Sequence, residues 1–172
     1  MQLPKGEAMQ SKAIEPEDAE KQLATFIAKF DSPMVRLIRP VRTALRKRLP
    51  AANELVYDNY NFFVIGYGST ERASDCILSL AANAKGIVLS FYYGSTLPDP
   101  SGILQGSGSQ NRFIRIARAA DLAKKETEAL IAAAVLQART PLAANGTGRL
   151  IIKSISAKQR PRRLPEKPAR TK

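Results

Sequence analysis

Residues 54–116 read ELVYDNYNFFVIGYGSTERASDCILSLAANAKGIVLSFYYGSTLPDPSGILQGSGSQNRFIRI, and this stretch decides the fold. Apolar, β-branched and aromatic runs recur in it about every ten positions, and runs of that composition predict β-strands. The predicted strands are 55–57, 62–67, 76–80, 87–92 and 112–116. Because short turns join antiparallel neighbours, the sequence predicts one meandering antiparallel sheet.

Helical periodicity flanks the predicted sheet on both sides. Pro16 and the acids beside it start a first helix, and Asp31 caps a second, in which Pro40 predicts a kink or a late start. Asp121 caps a third helix over 122–139, and a β-prone run at 150–155 predicts a sixth strand at a sheet edge. The predicted class is α+β, an antiparallel sheet of about five to six strands with two N-terminal helices and one C-terminal helix on one face.

Composition is that of an ordinary globular protein. The chain has 172 residues, 44% hydrophobic and 24% charged, which suits one domain that buries about 68–70% of its unfolded surface. It contains no histidine, which excludes Ser-His or Cys-His catalysis and histidine-ligated metal sites. Its single cysteine, Cys76, excludes an internal disulfide and, within a strand run, indicates a core position.

The two ends differ from the middle of the chain. Residues 1–14 lack periodicity and predict a disordered leader, in which Met9 is an alternative start to Met1. Residues 15–156 form the predicted domain, and 157–172 a basic, Pro-rich, solvated and disordered tail. The chain shows no apolar signal core, and its longest apolar run, 129–136, is too short to span a membrane. The expected location is therefore cytoplasmic, with no transmembrane segment.

Positive charge is concentrated in two places. The formal net charge is +12. Residues 36–48 carry six cations and no acid, and residues 158–172 carry seven cations and one acid, so these stretches account for all of the net charge. Such concentration predicts an acidic partner, with nucleic acid favoured, and the alternative is a tail that only raises solubility. The predicted contacts are Arg36, Arg39, Arg42, Arg46, Lys47, Lys158, Arg160, Arg162 and Arg163.

The first predicted hairpin carries a polar and aromatic cluster that suggests a shallow ligand surface. Tyr57, Asp58, Tyr60 and Asn61 combine amphipathic rings with short polar groups. The alternative is that Asp58 and its neighbours simply satisfy the turn, since short polar side chains favour turns.

A glycine-rich run before the fifth predicted strand resembles a phosphate-cradling turn. Gly106, Ser107 and Gly108 form it, and Arg112 follows. A phosphate loop normally precedes a helix, whereas a strand follows here. The alternative is that the glycines permit a tight entry into the strand, although a backbone anion nest stays open.

An acidic cluster at the start of the first helix suggests a cation site. The cluster is Glu15, Glu17, Asp18 and Glu20, and its carboxylates offer the hard oxygen ligands that iron or another cation would accept. The same carboxylates also suit the positive end of the helix dipole, which is the structural alternative.

The sequence resembles the YdhG-like family of bacterial proteins, a domain-of-unknown-function family. The resemblance covers residues 18–163 and is carried by ELVYDNYN at 54–61, SDCILS at 74–79, LPDPSGILQGSG at 97–108 and RLIIKSISAKQRPRR at 149–163. It implies an α+β domain with a frataxin-like layout. Some relatives are described as frataxin-like iron chaperones that use carboxylates along a helix and a sheet edge.

The sequence predicts a non-enzymatic binding or carrier module whose basic tail contacts an acidic partner, with nucleic acid favoured. The first alternative is an iron chaperone that uses the acidic start of the first helix. The second is an enzyme with Tyr57 and Asp58 at a pocket closed by the 94–110 loop. No resident cofactor is predicted unless iron is bound, and the edge strand near Ile151 leaves dimer pairing and a monomer as alternatives.

Overall fold

A computed structural model describes residues 14–168, which form three α-helices and one six-stranded sheet. The predicted α+β class is confirmed. The helices are α1 (Pro16–Ile27), α2 (Ser32–Arg48) and α3 (Lys125–Leu136). The strands are β1 (Asn53–Asp58), β2 (Phe63–Gly68), β3 (Cys76–Asn83), β4 (Gly86–Phe91), β5 (Arg112–Ile116) and β6 (Leu150–Ile155).

The sheet has the strand order β5-β4-β3-β2-β1-β6. The five strands from β1 to β5 pair antiparallel with their neighbours in the chain, as predicted. β6 lies at an edge, as predicted, but it pairs parallel with β1. The chain between β5 and β6 contains α3, and a crossover of that length can return a strand in the parallel direction. The sheet is therefore mixed rather than wholly antiparallel.

Local chemistry sets the starts of the first two helices. Pro16 lies in the first turn of α1, where a missing N–H costs nothing. The Asp31 carboxylate accepts a hydrogen bond of 3.0 Å from the Met34 N–H and caps α2. α2 continues from Ser32 through Pro40, so the alternative of a late start is wrong. Pro40 is exposed, and water can satisfy the carbonyl that loses its partner there.

Asp121 does not cap α3, which corrects the prediction. Its carboxylate accepts hydrogen bonds from the backbone of Ala117 at 2.9 Å and Arg118 at 3.1 Å, and so it closes the 3₁₀ turn at Ala119–Ala123. α3 begins only at Lys125. A hydrogen bond from Lys124, together with the two backbone donors, lowers the pKa of Asp121 to about 2.

The apolar core lies between one face of the sheet and the buried sides of the helices. Directly paired residues Val56, Ile65, Leu80, Leu89 and Ile114 form a row across five strands of this face, and all are buried. The helices contribute Leu23, Phe26, Ile38, Val41, Leu45, Leu130 and Ile131 to the same cluster. Because side chains alternate along a strand, the intervening residues belong to the opposite face.

The predicted leader, including Met1 and Met9, lies outside the described residues except for Ile14, and so do residues 169–172 of the predicted tail. Between residues 14 and 168, no helix combines the length and the apolar character that crossing a membrane requires.

Candidate functional site

The face of the sheet opposite the core carries a concavity of about 510 Å³. Its floor is a row of paired residues, Val64, Ala81 and Val88, and the row ends at Arg115 on β5. These small side chains leave room above the sheet. We call this surface the open face, and its lining is Phe62, Val64, Ser79, Ala81, Asn83, Lys85, Gly86, Val88, Ser90, Tyr92, Asn111, Phe113 and Arg115.

Aromatic side chains stand at the two ends of the open face. Phe62, immediately before β2, is 41% exposed, and Tyr92, immediately after β4, is 37% exposed. Phe113 on β5 pairs directly with Ser90, which places it diagonally beside Tyr92 on the same face. The Arg115 guanidinium lies 6.0 Å from the centre of the Phe113 ring. The faces of such rings can stack on other flat groups or on cations.

Polar groups between the rings are uncharged or positive. Ser79, Asn83, Ser90 and Asn111 line the concavity, and the Ser90 hydroxyl donates a 2.7 Å hydrogen bond to Asn111 Oδ1. Lys85 and Arg115 are exposed cations at its margin. None of the lining residues, all within the described range, is acidic. The open face therefore has an electrostatic preference for anions.

The segment at residues 156–163 packs against the first hairpin. The backbone N–H groups of Ser156 and Arg160 donate to the carbonyls of Asp58 and Tyr60, each at 2.9 Å. The Arg162 side chain is 3% exposed and pairs with Asp58 at 2.9 Å. The prediction that residues 157–172 form a solvated tail is therefore wrong for this segment, because Arg162 supplies the counter-charge of a buried carboxylate.

The other basic side chains of the 156–163 segment differ in their roles. Arg163 donates to the carbonyls of Lys29 at 3.1 Å and Ala28 at 3.3 Å, which satisfies groups left free at the end of α1. The Arg160 guanidinium lies 5.6 Å from the centre of the Tyr60 ring, and Lys158 is exposed. Arg160 and Lys158 thus stay available to a partner.

Asp58 is fully buried against Lys29 and Arg162, so it is not part of a ligand surface, contrary to the prediction. Burial raises the pKa of the Asp58 carboxyl, but hydrogen bonds led by Lys29 outweigh it, and the net shift is downward. Tyr57 projects to the opposite face by strand alternation. Tyr60 and Asn61 are exposed at the turn. The four residues therefore do not converge on one site. Tyr57 lies on the sheet face that carries the concavity and pairs with Val64, but it is outside the concavity's lining.

Arg42 is turned inward and engaged by internal carboxylates, which corrects its predicted role as a contact for an acidic partner. Its guanidinium donates from Nε and Nη2 to both oxygens of the buried Glu54, each at 2.8 Å, and from Nη1 and Nη2 to Glu20. The Tyr67 hydroxyl adds a 3.2 Å hydrogen bond to Glu54. Arg46 lies 3.3 Å from the same carboxylate. These contacts draw Arg42 into the space between α1, α2 and β1.

The acidic start of α1 offers little to a cation. Glu20 is bound by Arg42, whose hydrogen bond lowers the pKa of Glu20, and Glu17 pairs with Lys21 at 2.9 Å. Asp18 is exposed on the same helix. Within residues 14–168 the structure contains no group of three or more histidine, cysteine or acidic residues able to hold a metal ion.

The glycine-rich loop does not present an anion cradle with Arg112. The Arg112 side chain folds back and donates to the carbonyls of Gly108 and Asn111. Gly106 has φ +115°, a conformation that favours glycine. This agrees with the alternative that the glycines permit a tight entry into the strand. Earlier in the loop, Asp99 accepts from the backbone of Ile103 at 3.0 Å and Leu104 at 2.9 Å. Ser107 is exposed, and the loop packs on itself.

The surface cations divide into paired and unpaired groups. Arg46 and Arg48 on α2 join Arg42 in ion pairs with Glu20, Glu54 or Glu128. Within residues 14–168, several exposed cations make no ion pair with a described carboxylate. Among the predicted contacts these are Arg36, Arg39, Lys47, Lys158, Arg160 and Arg163.

The open face is a candidate surface that the sequence prediction missed. Its signal was present in the strands, because Ser79, Asn83 and Ser90 interrupt runs that are otherwise apolar.

Cys76 is buried, as predicted, and burial raises the pKa of its thiol to about 11, which is unsuited to a nucleophile.

No family model, curated protein or solved structure matches this chain. The resemblance to the YdhG-like family stays a prediction.

Proposed function

We propose that the protein is a non-enzymatic binding module whose acidic partner is a nucleic acid. One observation carries the proposal: Lys158 and Arg160 lie unpaired beside the hairpin that supplies Phe62 to the open face, where Lys85 and Arg115 add charge. Exposed cations that make no ion pair within the described chain form a typical electrostatic footprint for phosphates.

The fixed position of the 156–163 segment strengthens this proposal. A free tail would lose conformational entropy on binding, whereas backbone hydrogen bonds already hold Arg160 at the hairpin. The partner therefore meets cations in a defined arrangement. Each phosphate neutralised adds about 0.7–0.9 to the slope of log affinity against log salt.

The test is fluorescence anisotropy with labelled RNA and DNA at low and moderate salt. The variant Lys158→Gln/Arg160→Gln should bind more weakly, and its salt slope should be shallower by about 1.4–1.8, since two phosphate contacts are lost. The control Arg72→Gln/Lys125→Gln removes the same charge from exposed residues that do not line the open face or lie in the 156–163 segment. Equal loss in both variants would mean that net charge alone drives binding, and absence of binding by the wild type would reject the function.

Substitution is the correct way to remove these charges. Deleting the chain from Lys158 would also remove Arg162 and leave the buried Asp58 carboxylate without its arginine. Loss of binding by such a truncated chain would then report unfolding rather than loss of contacts.

A further inference from the structure

We infer that the open face binds the unpaired bases of a single-stranded nucleic acid, an inference that rests on the proposed function. The occupant is identified by the combination of exposed rings, uncharged hydrogen-bonding groups and cations on one sheet face. Bases stack on aromatic side chains, their edges exchange hydrogen bonds with serine and asparagine, and phosphates meet Lys and Arg.

The arrangement of the rings fits separate bases. Phe62 lies at one end of the open face, and Tyr92 and Phe113 lie diagonally adjacent at the other. The floor of Val64, Ala81 and Val88 lies between them. A single-stranded nucleic acid that crosses this floor can stack one base at each end. The β-strands beneath it are spaced about 4.7–4.9 Å apart. The concavity of about 510 Å³ is within the usual range for ligand sites.

Charge complementarity selects this occupant over a second protein surface of ordinary composition. Arg115 and Lys85 border the rings, and no lining residue in the described range is acidic. Outside the concavity, Arg160 lies against Tyr60 on the hairpin that leads into Phe62. Arg160 therefore adds a cation to the hairpin whose chain enters the open face at Phe62, and a phosphate backbone leaving the concavity can reach it.

Duplexes lack the feature that this face would recognise. Paired and stacked bases hide their ring faces, so a duplex can offer only its backbone to the cations. The inference therefore predicts that a single strand binds more tightly than a duplex of the same sequence and length.

The experiment compares a labelled single strand with its duplex by anisotropy, using the full chain. We expect the single strand to bind about tenfold or more tightly, and Phe62→Ala/Tyr92→Ala to weaken single-strand binding by about tenfold or more. Because no charge is removed, the salt slope should not change. Leu136→Ala/Leu164→Ala is the matched control, since it truncates two exposed apolar side chains outside the open face.

Each contrary outcome has a distinct meaning. If the wild type binds a duplex as tightly as a single strand, or if Phe62→Ala/Tyr92→Ala binds like the control, the inference fails and the proposed function stands. A mononucleotide that binds as tightly as the strand would also overturn it. Sedimentation that shows a dimer disrupted by Phe62→Ala/Tyr92→Ala would assign the open face to a second copy of the chain and reject the inference.

Discussion

Glu54 and Asp58 are two buried carboxylates on the same strand and the same face of the sheet, yet they are neutralised by different parts of the chain. The Glu54 carboxylate is contacted by Arg42, Arg46 and the Tyr67 hydroxyl, which all lie in helices or strands. The Asp58 carboxylate forms ion pairs with Lys29, just after α1, and with Arg162 of the 156–163 segment. The first site is completed by the helical layer, whereas the second needs a segment outside helices and strands.

This difference shows that regular secondary structure does not mark the limits of the folded unit. A buried charge is costly without a partner, whichever segment supplies that partner. The 156–163 segment is therefore part of the domain, although its composition is that of a solvated linker. Glu54 has three donors from helices and strands, whereas the Asp58 carboxylate relies on Lys29 and on residues of the 156–163 segment.

The largest expected effect follows from ending the chain at Ala157. The Asp58 carboxylate would lose Arg162, and the end of α1 would lose Arg163, so the free energy of unfolding should fall by about 5 kcal/mol. Urea unfolding followed by circular dichroism measures this change. A chain ending at Leu164 keeps both arginines and should lie within about 0.5 kcal/mol of the wild type. Equal stability of the two shortened chains would contradict the role of the segment.

Single substitutions test the comparison directly. Arg162→Met should cost about 3 kcal/mol, because it leaves a fully buried carboxylate with one exposed lysine. Arg42→Met should cost about 2 kcal/mol, because Arg46 and Tyr67 still contact Glu54. Denaturant unfolding gives both values. Two results would contradict the difference between the two sites. One is a larger loss of stability in Arg42→Met than in Arg162→Met, and the other is a double variant Asp58→Asn/Arg162→Met that recovers none of the stability lost in Arg162→Met.

Acid should destabilise the protein partly through Asp58. Its pKa is lowered in the folded state, so the unfolded chain binds the proton more readily. The contribution to stability is therefore present above the unfolded pKa, about 3.9, and is lost as pH falls through the folded value. Unfolding free energies measured from pH 7 to pH 3 should fall less steeply in Asp58→Asn than in the wild type. Identical slopes would contradict the assignment.

The smallest effect is expected from an exposed ion pair. Lys21 and Glu17 are 2.9 Å apart, but their side chains are 67% and 81% exposed. Water screens such a pair, so Lys21→Gln should change the free energy of unfolding by less than about 0.5 kcal/mol. A larger loss, measured by urea unfolding, would mean that the exposed fraction of an ion pair does not predict its contribution to the free energy of unfolding.

Local patterns were sufficient for much of the fold. The strand runs and turns of residues 54–116 predicted β1 to β5 and their antiparallel order, and Asp31 predicted the start of α2. The parallel direction of β6 was not readable, because it depends on how the chain crosses the sheet between β5 and β6. Asp121 misled because a short acid can close a turn as well as a helix.

The site was harder to predict than the fold. Arg162 and Asp58 are 104 positions apart, and no periodicity links residues at that separation. Residues 55–57 are apolar or aromatic on both faces of the strand. The sequence pattern therefore did not reveal that Glu54 and Asp58 lie on the buried face. The open face arises only when four strands align their second faces. On that face β2 has no polar residue, and β3, β4 and β5 have only one or two each.

The distance along the chain between Asp58 and Arg162 also sets an order of events during synthesis. At about 5–20 residues per second, the ribosome makes Arg162 roughly 5–20 s after Asp58. Throughout that interval the carboxylate has at most Lys29 beside it, and closing the helices over it is unfavourable. Nascent chains should therefore keep this end of the sheet hydrated until the 156–163 segment arrives, so that completion of the core coincides with synthesis of that segment.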